Sequence, residues 1–218
     1  MNPLTGKHII VTAGGTIEPI DPVRYISNHS TGKMGYAIAA ELAGRGAVVT
    51  LISGRTAIAT PKGVDRVDVL SAQDMYDAFM ERFPGADGAV MCAAVADYTP
   101  AEPSPVKIKK NDDEMVIRLK RTPDIAAAAG AVKGKRFLMG FALETDNELE
   151  NAIGKLHRKN MDSIVLNSLA DPGAGFGTDT NKITIISRDG TQTPFPLESK
   201  SEAAIHITDA IGHFFGNG

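Results

Sequence analysis

Apolar and polar positions alternate between two kinds of segment along the first half of the chain. Short, β-branched runs that are apolar on both faces predict buried parallel strands at 8–13 (HIIVTA), 48–53 (VVTLIS) and 88–96 (GAVMCAAVA). Between them, apolar residues with helical spacing predict helices at 32–45 and 72–83, each ended by glycine or proline. This order predicts an α/β fold with a doubly wound, mainly parallel sheet.

The pattern is less regular in the second half of the chain. Residues 99–114 (TPAEPSPVKIKKNDDE) are proline-rich and then charged, which predicts a flexible loop. A polar turn, SRDGTQ, separates KITII from TPFPL and predicts a β-hairpin before the last helix. The other predicted elements are strands at 115–119, 137–142, 163–167 and 182–186, and helices at about 124–132, 147–159 and 199–214.

Composition narrows the classes of protein. With 218 residues, of which 43% are hydrophobic, the chain can bury one core, so we expect a single domain over 1–218. A formal charge of -3 gives no global basic field, and we expect neither a nucleic-acid nor a membrane partner. Cys92 is the one cysteine, which excludes an internal disulfide and fits a reducing compartment. Since the N-terminal apolar run is too short for a signal peptide, we expect a cytoplasmic protein.

The loop between the first strand and the first helix holds the densest set of polar groups. In an open α/β sheet, ligands bind beyond the carboxyl ends of the strands, where this loop begins. Ser30, Gly32 and Gly35 have the spacing of a dinucleotide fingerprint, and the helix start could hold a phosphate. The alternative is that Ser30 and Thr31 only cap the helix. A P-loop ATPase is excluded, because Met34 stands where that motif has its magnesium-binding hydroxyl.

Further candidates for binding an anion follow later strands. Asp97 comes just after the third predicted strand, where a carboxylate can bind ribose hydroxyls or a metal; a turn or helix cap is the alternative. Lys107, in the run KIKK, lies in the predicted flexible loop and could close over a polyphosphate, or it is solvated surface. Lys155 and Lys159 share one face of a predicted helix, which equally fits an exposed surface.

Other polar residues have structural interpretations. The segment RTPDI predicts a helix capped by Thr122, with Pro123 in the first helical position and Asp124 in the first turn. Cys92 lies within an apolar strand and is interpreted as packing. The five histidines show no metal-ligand spacing.

A nicotinamide enzyme is one alternative reading of this fold. Such enzymes usually have an acidic residue at the end of the second strand, where this chain has Gly54 and Arg55. This argues against NAD, whereas Arg55 could accept the extra phosphate of NADP. The long insert before Ser30 argues against a reductase, because the fingerprint normally follows its strand directly. An NADP-linked reductase and a non-catalytic nucleotide-binding module both stay open at this point.

Five segments together resemble a known family. In chain order they are VTAGGTIEPIDPVRYISNHSTGKMG, AAVADY, KIKK, GFALET and GFGTDTN, and they cover nearly the whole chain. They are similar to phosphopantothenoylcysteine synthetases, of the bacterial CTP-using type that forms the C-terminal half of a bifunctional coenzyme A enzyme. The first segment is highly specific; the others are weak separately. The leading NPLTGKH resembles the linker to a flavin-dependent decarboxylase domain, so the chain is either an excised domain or a stand-alone synthetase.

The resemblance implies a reaction and an assembly. The enzyme would join 4'-phosphopantothenate to L-cysteine: the carboxylate attacks the α-phosphate of CTP, pyrophosphate leaves, and the cysteine amine displaces CMP from the acyl-cytidylate. CTP and Mg2+ are the implied cofactors, with no protein ligand assigned to the metal. The family also implies a Rossmann-like domain, a flexible active-site loop at 99–114 and a homodimer with a C-terminal β-hairpin arm at about 168–197.

The same resemblance assigns roles to individual residues. Asn28, Arg24 and Lys107 would be catalytic, with Lys107 as the chief electrostatic catalyst. Two departures, Leu143 in GFALET and the segment VLNSLAD, lie beside the assigned positions. The substrate-binding positions would be Gly14, Ser30, Gly32, Gly35 and Asn167. The CTP positions would be Met91, Cys92, Ala93, Asp97, Lys107, Pro123, Asp124, Ile125, Ala126, Phe141, Lys155 and Lys159.

Overall fold

The computed structural model describes residues 2–110, 114–144, 146–168, 175 and 177–216, and within them helices and strands alternate through most of the chain. The helices are α1 (Lys33–Gly44), α2 (Ala72–Arg82), α3 (Ile125–Val132), α4 (Glu148–Arg158) and α5 (Lys200–Gly216). The strands are β1 (His8–Ala13), β2 (Ile17–Pro19), β3 (Tyr25–Ser27), β4 (Val48–Ser53), β5 (Val64–Asp68), β6 (Gly88–Met91), β7 (Tyr98–Pro100), β8 (Leu119–Arg121), β9 (Phe137–Glu144), β10 (Ser163–Ser168), β11 (Thr180–Asn181), β12 (Ile183–Ser187), β13 (Gln192–Pro194) and β14 (Glu198–Ser199).

One large sheet organises the fold, with strand order β13-β12-β10-β9-β6-β1-β4-β5. The six strands from β10 to β5 are parallel, while β12 and β13 are antiparallel to their neighbours. The chain runs from β1 outward to β5, then returns beside β1 as β6 and continues to the other side. This reversal leaves a crevice at the carboxyl ends of β1 and β6, which is where open α/β sheets bind ligands. The predicted doubly wound fold is confirmed.

Helices cover both faces of this sheet. Successive side chains of β1 point to opposite faces, so Ile9 and Val11 join one apolar cluster while Ile10 joins the other. The first cluster includes buried residues of α1 and α5, and the second includes buried residues of α2, α3 and α4. Each face of the central strands is therefore buried, which explains why those strands are apolar throughout rather than alternating.

Helix α1 approaches β1 unusually closely at Gly35. A Cβ atom at this position would lie 2.6 Å from the Cβ of Ala13, a distance that real side chains do not tolerate. Just before the helix, Gly32 adopts φ +84°, a left-handed conformation that suits glycine. These two glycines let the N-terminus of α1 sit directly at the carboxyl edge of β1.

Several predicted boundaries were wrong. The strand predicted at 115–119 is absent; only Leu119–Arg121 is extended, and it pairs with Tyr98–Pro100 in a separate two-stranded sheet. A short apolar run cannot by itself distinguish a strand from an apolar surface loop, and Val116 is 88% exposed. The strand predicted at 88–96 ends at Met91. Strand β5 was missed because its sequence, VDRVD, is too polar to read as a buried strand.

The predicted C-terminal hairpin is confirmed as β12 and β13, which pair antiparallel through residues 188–191. It extends the main sheet beyond β10 rather than standing apart from it. Residues 169–174 and 176 of the predicted dimerisation arm lie outside the described residues, and the use of the arm in a dimer stays a prediction. Among the described residues, no helix combines the length and apolar content needed to cross a bilayer.

Candidate active site

Two adjoining cavities open at the carboxyl edge of the sheet, beside the point where the strand order reverses. One, here called the α3 cavity, has a volume of about 390 Å³ and lies against the start of α3; the other, the α1 cavity, has a volume of about 370 Å³ and lies against the start of α1. Both cavities are lined by a shared wall that consists of Ala93, Val95, Asp97, Phe141 and Lys155. Ligands held in the two cavities would therefore lie side by side.

The α3 cavity gathers most of the positions predicted to bind CTP. They come from the end of β6, the loop after it, the start of α3, strand β9 and the end of α4. Chain segments separated by up to about 70 residues therefore meet at one cavity. The predicted positions that line it are Met91, Ala93, Asp97, Pro123, Asp124, Ile125, Ala126, Phe141, Lys155 and Lys159.

Helix α3 presents its N-terminus to the α3 cavity. The helix cap is Asp124 rather than the predicted Thr122: the Asp124 carboxylate accepts from the N–H of Ala127 at 3.0 Å. Thr122 instead donates its hydroxyl to the carbonyl of Ala96 at 2.6 Å, which ties the segment before α3 to the loop after β6. A helix N-terminus attracts anions through its free N–H groups and dipole.

Asp124 also pairs with the end of helix α4. Lys159 Nζ lies 3.0 Å from Asp124 Oδ1. Burial opposes ionisation of Asp124, but the N–H of Ala127 and the ammonium of Lys159 outweigh it, and the pKa of Asp124 falls below its ordinary value. The pair links the start of α3 to the end of α4.

Lys155 places a largely buried ammonium on the shared wall. Its Nζ donates to the carbonyl of Phe141 at 2.7 Å. Burial lowers the pKa of Lys155 and the nearby Lys159 lowers it further, while Glu144, Asp124 and Asp97 oppose the shift. Because a buried ammonium has lost most of its water, it interacts strongly with any anion in either cavity. The predicted sharing of one helix face by Lys155 and Lys159 is confirmed by their common place on the α3 cavity.

The α1 cavity gathers the predicted substrate positions of the opening loop. Gly32 is the N-cap of α1 and no side chain caps the helix, so the alternative that Ser30 and Thr31 only cap it is wrong. Asn28 lies on the cavity wall and its Nδ2 donates to the carbonyl of Ala94 at 2.9 Å. The predicted catalytic and substrate-binding positions that line this cavity are Asn28, Ser30, Gly32, Gly35 and Asn167.

Gly14 supports this loop from beneath rather than lining either cavity. A Cβ on Gly32 would lie 3.4 Å from the Cα of Gly14, and a Cβ on Gly14 would lie 3.1 Å from the carbonyl oxygen of Gly54. Gly14 also has φ +76°. Its role in the structure is therefore to let three backbone segments approach each other under the α1 cavity.

Asn167 lies near the end of β10 at the same edge and contributes an unsatisfied acceptor. Its Oδ1 is buried and has no hydrogen-bond partner among the described residues. A buried polar atom without a partner is unfavourable, so it favours a ligand that brings a donor. An amide N–H or a hydroxyl of a ligand would meet this requirement.

Sequence reasoning missed three polar residues of the α1 cavity: Lys33, Asn181 and Lys200. Lys33 directly follows the glycine that caps α1, and its place in STGKM was a usable signal. Asn181, in β11, ends the segment GFGTDTN, which was a usable signal, whereas no local pattern at Lys200, at the start of α5, indicates a site. The pairing of β11 with β14 and the packing of α5 against α1 bring them to the cavity.

Comparisons with known proteins place the chain in a family. Residues 4–214 match the family described as the DNA/pantothenate metabolism flavoprotein C-terminal domain. The chain belongs to this family.

Two curated relatives and one solved structure illustrate the similarity. The chain is 51% identical over 211 residues to a protein from an unknown prokaryotic organism named cysteine/cysteine sulfinic acid decarboxylase, covering 96% of the chain and 59% of that protein. It is 46% identical over 211 residues to the coenzyme A biosynthesis bifunctional protein CoaBC of Vibrio parahaemolyticus, covering 95% and 53%. A crystal structure of the C-terminal domain of a CoaBC protein matches with a TM-score of 0.86 and 41% identity over the full length of both chains.

These findings confirm the family resemblance and the fold predicted from the sequence. The chain spans little more than half the length of the two curated relatives. The activities of those longer proteins therefore apply to this chain only as proposals.

In this family member, the structure places Arg24 and Lys107 at a third cavity of about 1070 Å³, not at the α3 cavity. Arg24 pairs with the carboxylate of Asp21 and donates to the carbonyl of Ile108 at 3.0 Å. The Arg24 guanidinium holds the pKa of Asp21 far below its ordinary value, although burial opposes this. The N–H of Ile108 also donates to Asp21, at 3.1 Å. Arg24 and Asp21 thus anchor the segment that carries Lys107, whose side chain is exposed.

Cys92, one of the predicted CTP positions, lines the α1 cavity and not the α3 cavity. Burial raises the pKa of its thiol to about 12, although Lys200 opposes the shift. The thiol is therefore protonated at neutral pH and is not a nucleophile. It also packs against the apolar cluster that includes α1 and α5, as the sequence interpretation expected.

The donor set suits a magnesium ion that arrives with a nucleotide. Within the described ranges, no three His, Cys, Asp or Glu side chains are grouped so as to hold a metal. Asp97, on the shared wall, is an exposed carboxylate. Mg2+ is commonly bound through one or two carboxylates together with phosphates and water, so Asp97 fits as its protein contact.

Proposed function

We propose that this chain is a CTP-dependent phosphopantothenate–cysteine ligase of coenzyme A biosynthesis. The observation that carries the proposal is the shared wall between the two cavities, because the reaction needs a carboxylate and a nucleoside triphosphate in contact. The similarity to CoaBC proteins supports it, as does the set of basic groups around the α3 cavity. CTP would occupy the α3 cavity and 4'-phosphopantothenate the α1 cavity.

In the first step, a carboxylate oxygen of phosphopantothenate attacks the α-phosphorus of CTP and pyrophosphate leaves. Lys155 faces the junction of the two ligands, and Lys159 and the N-terminus of α3 face the nucleotide. Positive groups fixed where negative charge develops stabilise the transition state without rearrangement. Mg2+, when bound with the triphosphate, supplies further charge neutralisation.

In the second step, the cysteine amine attacks the acyl carbon of the acyl-cytidylate, and CMP leaves. Asn28 is fixed by its bond to the carbonyl of Ala94 and can orient the acyl-cytidylate without adding charge. Arg24 and Lys107 line the third cavity, and we propose that movement of the segment that carries Lys107 brings its ammonium to the phosphates.

The assembly forms part of the proposal. We propose a cytoplasmic homodimer in which the β12–β13 hairpin contacts the partner subunit. The partial coverage of the CoaBC relatives is consistent with fusion, in a full-length protein, to a flavin-dependent decarboxylase domain.

One incubation tests the proposed reaction. The chain is mixed with 4'-phosphopantothenate, L-cysteine, MgCl2 and CTP, and the products are quantified by mass spectrometry. Pyrophosphate, CMP and 4'-phosphopantothenoylcysteine should appear in equal amounts, and a parallel reaction with ATP measures nucleotide preference. A second parallel reaction contains NADPH, and absence of product with a change in NADPH absorbance there would indicate a reductase instead. Release of CO2 from cysteine or cysteine sulfinate without CTP would favour the activity in the name of the decarboxylase relative.

A further inference from the structure

Part of the α1 cavity does not belong to the shared wall, and this part is basic. It includes Lys33, the first residue of α1, and Lys200, the first residue of α5. The N-terminus of the twelve-residue helix α1 opens into the same cavity with no side-chain cap. Two ammonium groups and a helix N-terminus together make a strong anion-binding arrangement.

Lys200 is a buried cation that has no acidic partner among the described residues. Lys200 is only 8% exposed, and its Nζ donates to the carbonyls of Gly175 at 3.2 Å and Thr178 at 2.5 Å. No carboxylate of the described residues lies within salt-bridge distance of its ammonium. Burial lowers the pKa of Lys200 and Lys33 lowers it further, while Asp179 opposes the shift. Burying an ammonium against neutral carbonyls is unfavourable, and a bound anion would relieve that cost.

Lys33 has an acidic partner that a ligand can replace. Its Nζ lies 2.6 Å from Asp179 Oδ1 and 3.3 Å from the carbonyl of Gly177. The Asp179 side chain is 88% exposed, and exposed ion pairs contribute little to stability. A dianionic phosphate that contacts both Lys33 and Lys200 would therefore compete effectively with Asp179.

The two charged ends of the proposed substrate indicate which anion binds to Lys33 and Lys200. Phosphopantothenate carries a carboxylate at one end and a phosphate monoester at the other. The proposed chemistry requires its carboxylate at the shared wall, beside the nucleotide. We infer that Lys33 and Lys200, with the N-terminus of α1, bind the phosphate of this substrate and select it over unphosphorylated pantothenate. This inference rests on the proposed function for the orientation of the ligand.

A kinetic experiment tests both lysines. Lys33→Gln and Lys200→Gln should each raise KM for phosphopantothenate about tenfold or more, since each removes a charge-assisted contact. KM for CTP should stay within about twofold, because CTP lies beyond the shared wall. The matched control is Lys62→Gln, which removes one positive charge from an exposed loop outside all of these cavities and should leave both values unchanged. Unchanged KM for phosphopantothenate in both test variants would overturn the inference.

A binding experiment separates this inference from the ligase proposal. Calorimetry without CTP compares phosphopantothenate, pantothenate and inorganic phosphate as ligands of the wild-type chain and the variants. The wild-type chain should prefer phosphopantothenate over pantothenate by at least about tenfold, and the test variants should lose this preference while Lys33→Arg largely keeps it. Such a preference in a chain that forms no product would support the phosphate site and reject the ligase. If Lys200→Gln fails to fold by circular dichroism, Lys33→Gln decides, because the Lys33 side chain is 37% exposed and its ion pair contributes little to stability. A preserved preference in Lys33→Gln would reject the site.

Discussion

At the scale of single residues, the site depends on charges and amides that tertiary contacts hold in place. Lys155 is fixed by the carbonyl of Phe141, and Asn28 by the carbonyl of Ala94. The sequence indicated both residues, since each lies in or near a recognisable segment. It could not indicate Lys200, because nothing around that residue differs from an ordinary helix start. Its contact with the cavity depends on how β11 and β14 pair.

Replacing Asn28 by aspartate tests the second chemical step. The new carboxylate cannot donate to the carbonyl of Ala94, and it adds negative charge beside the acyl-cytidylate. We expect Asn28→Asp to form acyl-cytidylate but to release or fail to use it, with product formation lowered about 10- to 100-fold. Quenched reactions analysed by mass spectrometry would measure both species.

Asn151→Asp is the matched control for this change. Asn151 is exposed on α4 and its Nδ2 donates to a backbone carbonyl, that of Asp146, at 3.0 Å. The same loss of a hydrogen bond should leave product formation unchanged there. A normal product yield from Asn28→Asp would show that its side-chain amide has no part in the reaction.

Replacing Lys107 by glutamine tests the proposed electrostatic catalyst. Its exposed side chain forms no hydrogen bond with the described residues, so Lys107→Gln should leave the melting temperature nearly unchanged. We expect kcat to fall about 100-fold, the usual effect of removing one group that stabilises transition-state charge. Steady-state kinetics and thermal unfolding measure the two quantities, and Lys110→Gln in the same segment is the control. Full activity of Lys107→Gln would remove this residue from the mechanism.

At the scale of elements, the site is built where helices begin and end. The N-terminus of α1 lies against β1 because Gly35 allows a close approach, and the start of α3 lies against the end of α4 through Asp124 and Lys159. Gly130 has a similar role within α3, since a Cβ there would lie 1.9 Å from the carbonyl oxygen of Lys159. The sequence predicted these helices but not the cap at Asp124, because Thr122 and Asp124 are both good N-caps and only the tertiary bond from Thr122 to Ala96 distinguishes them.

Enlarging Gly130 should therefore disturb the α3 cavity. Gly130→Ala forces α3 away from the end of α4, and overpacking of this kind lowers the free energy of unfolding by about 1–3 kcal/mol. We also expect a higher KM for CTP, because Asp124 and Lys159 would separate. Denaturant unfolding and steady-state kinetics provide the two measurements.

Gly154→Ala in α4 is the matched control for Gly130→Ala. The nearest atom to a Cβ at Gly154 is the end of the flexible Arg158 side chain, at 3.8 Å. Alanine should raise the free energy of unfolding there by about 0.5–1 kcal/mol. Equal effects of the two substitutions would contradict the close contact between α3 and α4.

At the scale of the whole molecule, the apolar strands largely determined what could be predicted. HIIVTA, VVTLIS and the start of GAVMCAAVA form the centre of the sheet, and burial on both faces leaves a clear signal in their composition. Strand β5 gave no such signal because it lies at the sheet edge, where charged residues discourage pairing with other chains. The separation of the binding region into two cavities also depends on long-range packing that no local pattern encodes.

The predicted homodimer belongs to this scale. If the β12–β13 hairpin contacts a partner subunit, light scattering should give twice the mass of the single chain across the concentrations used for the activity assay. Shortening the turn at 188–191 should lower that mass without unfolding the central sheet, because the turn lies at its outer edge. A monomeric mass for the active wild-type chain would reject the dimer.

The wall common to the two cavities has a consequence for how a short-lived intermediate is handled. On the proposed mechanism, the mixed anhydride forms and reacts in the same site, so it does not have to diffuse through water to a second active site. Such a protein needs neither a swinging prosthetic arm nor a tunnel. The mixed anhydride is protected from hydrolysis because it does not leave the site before cysteine attacks it.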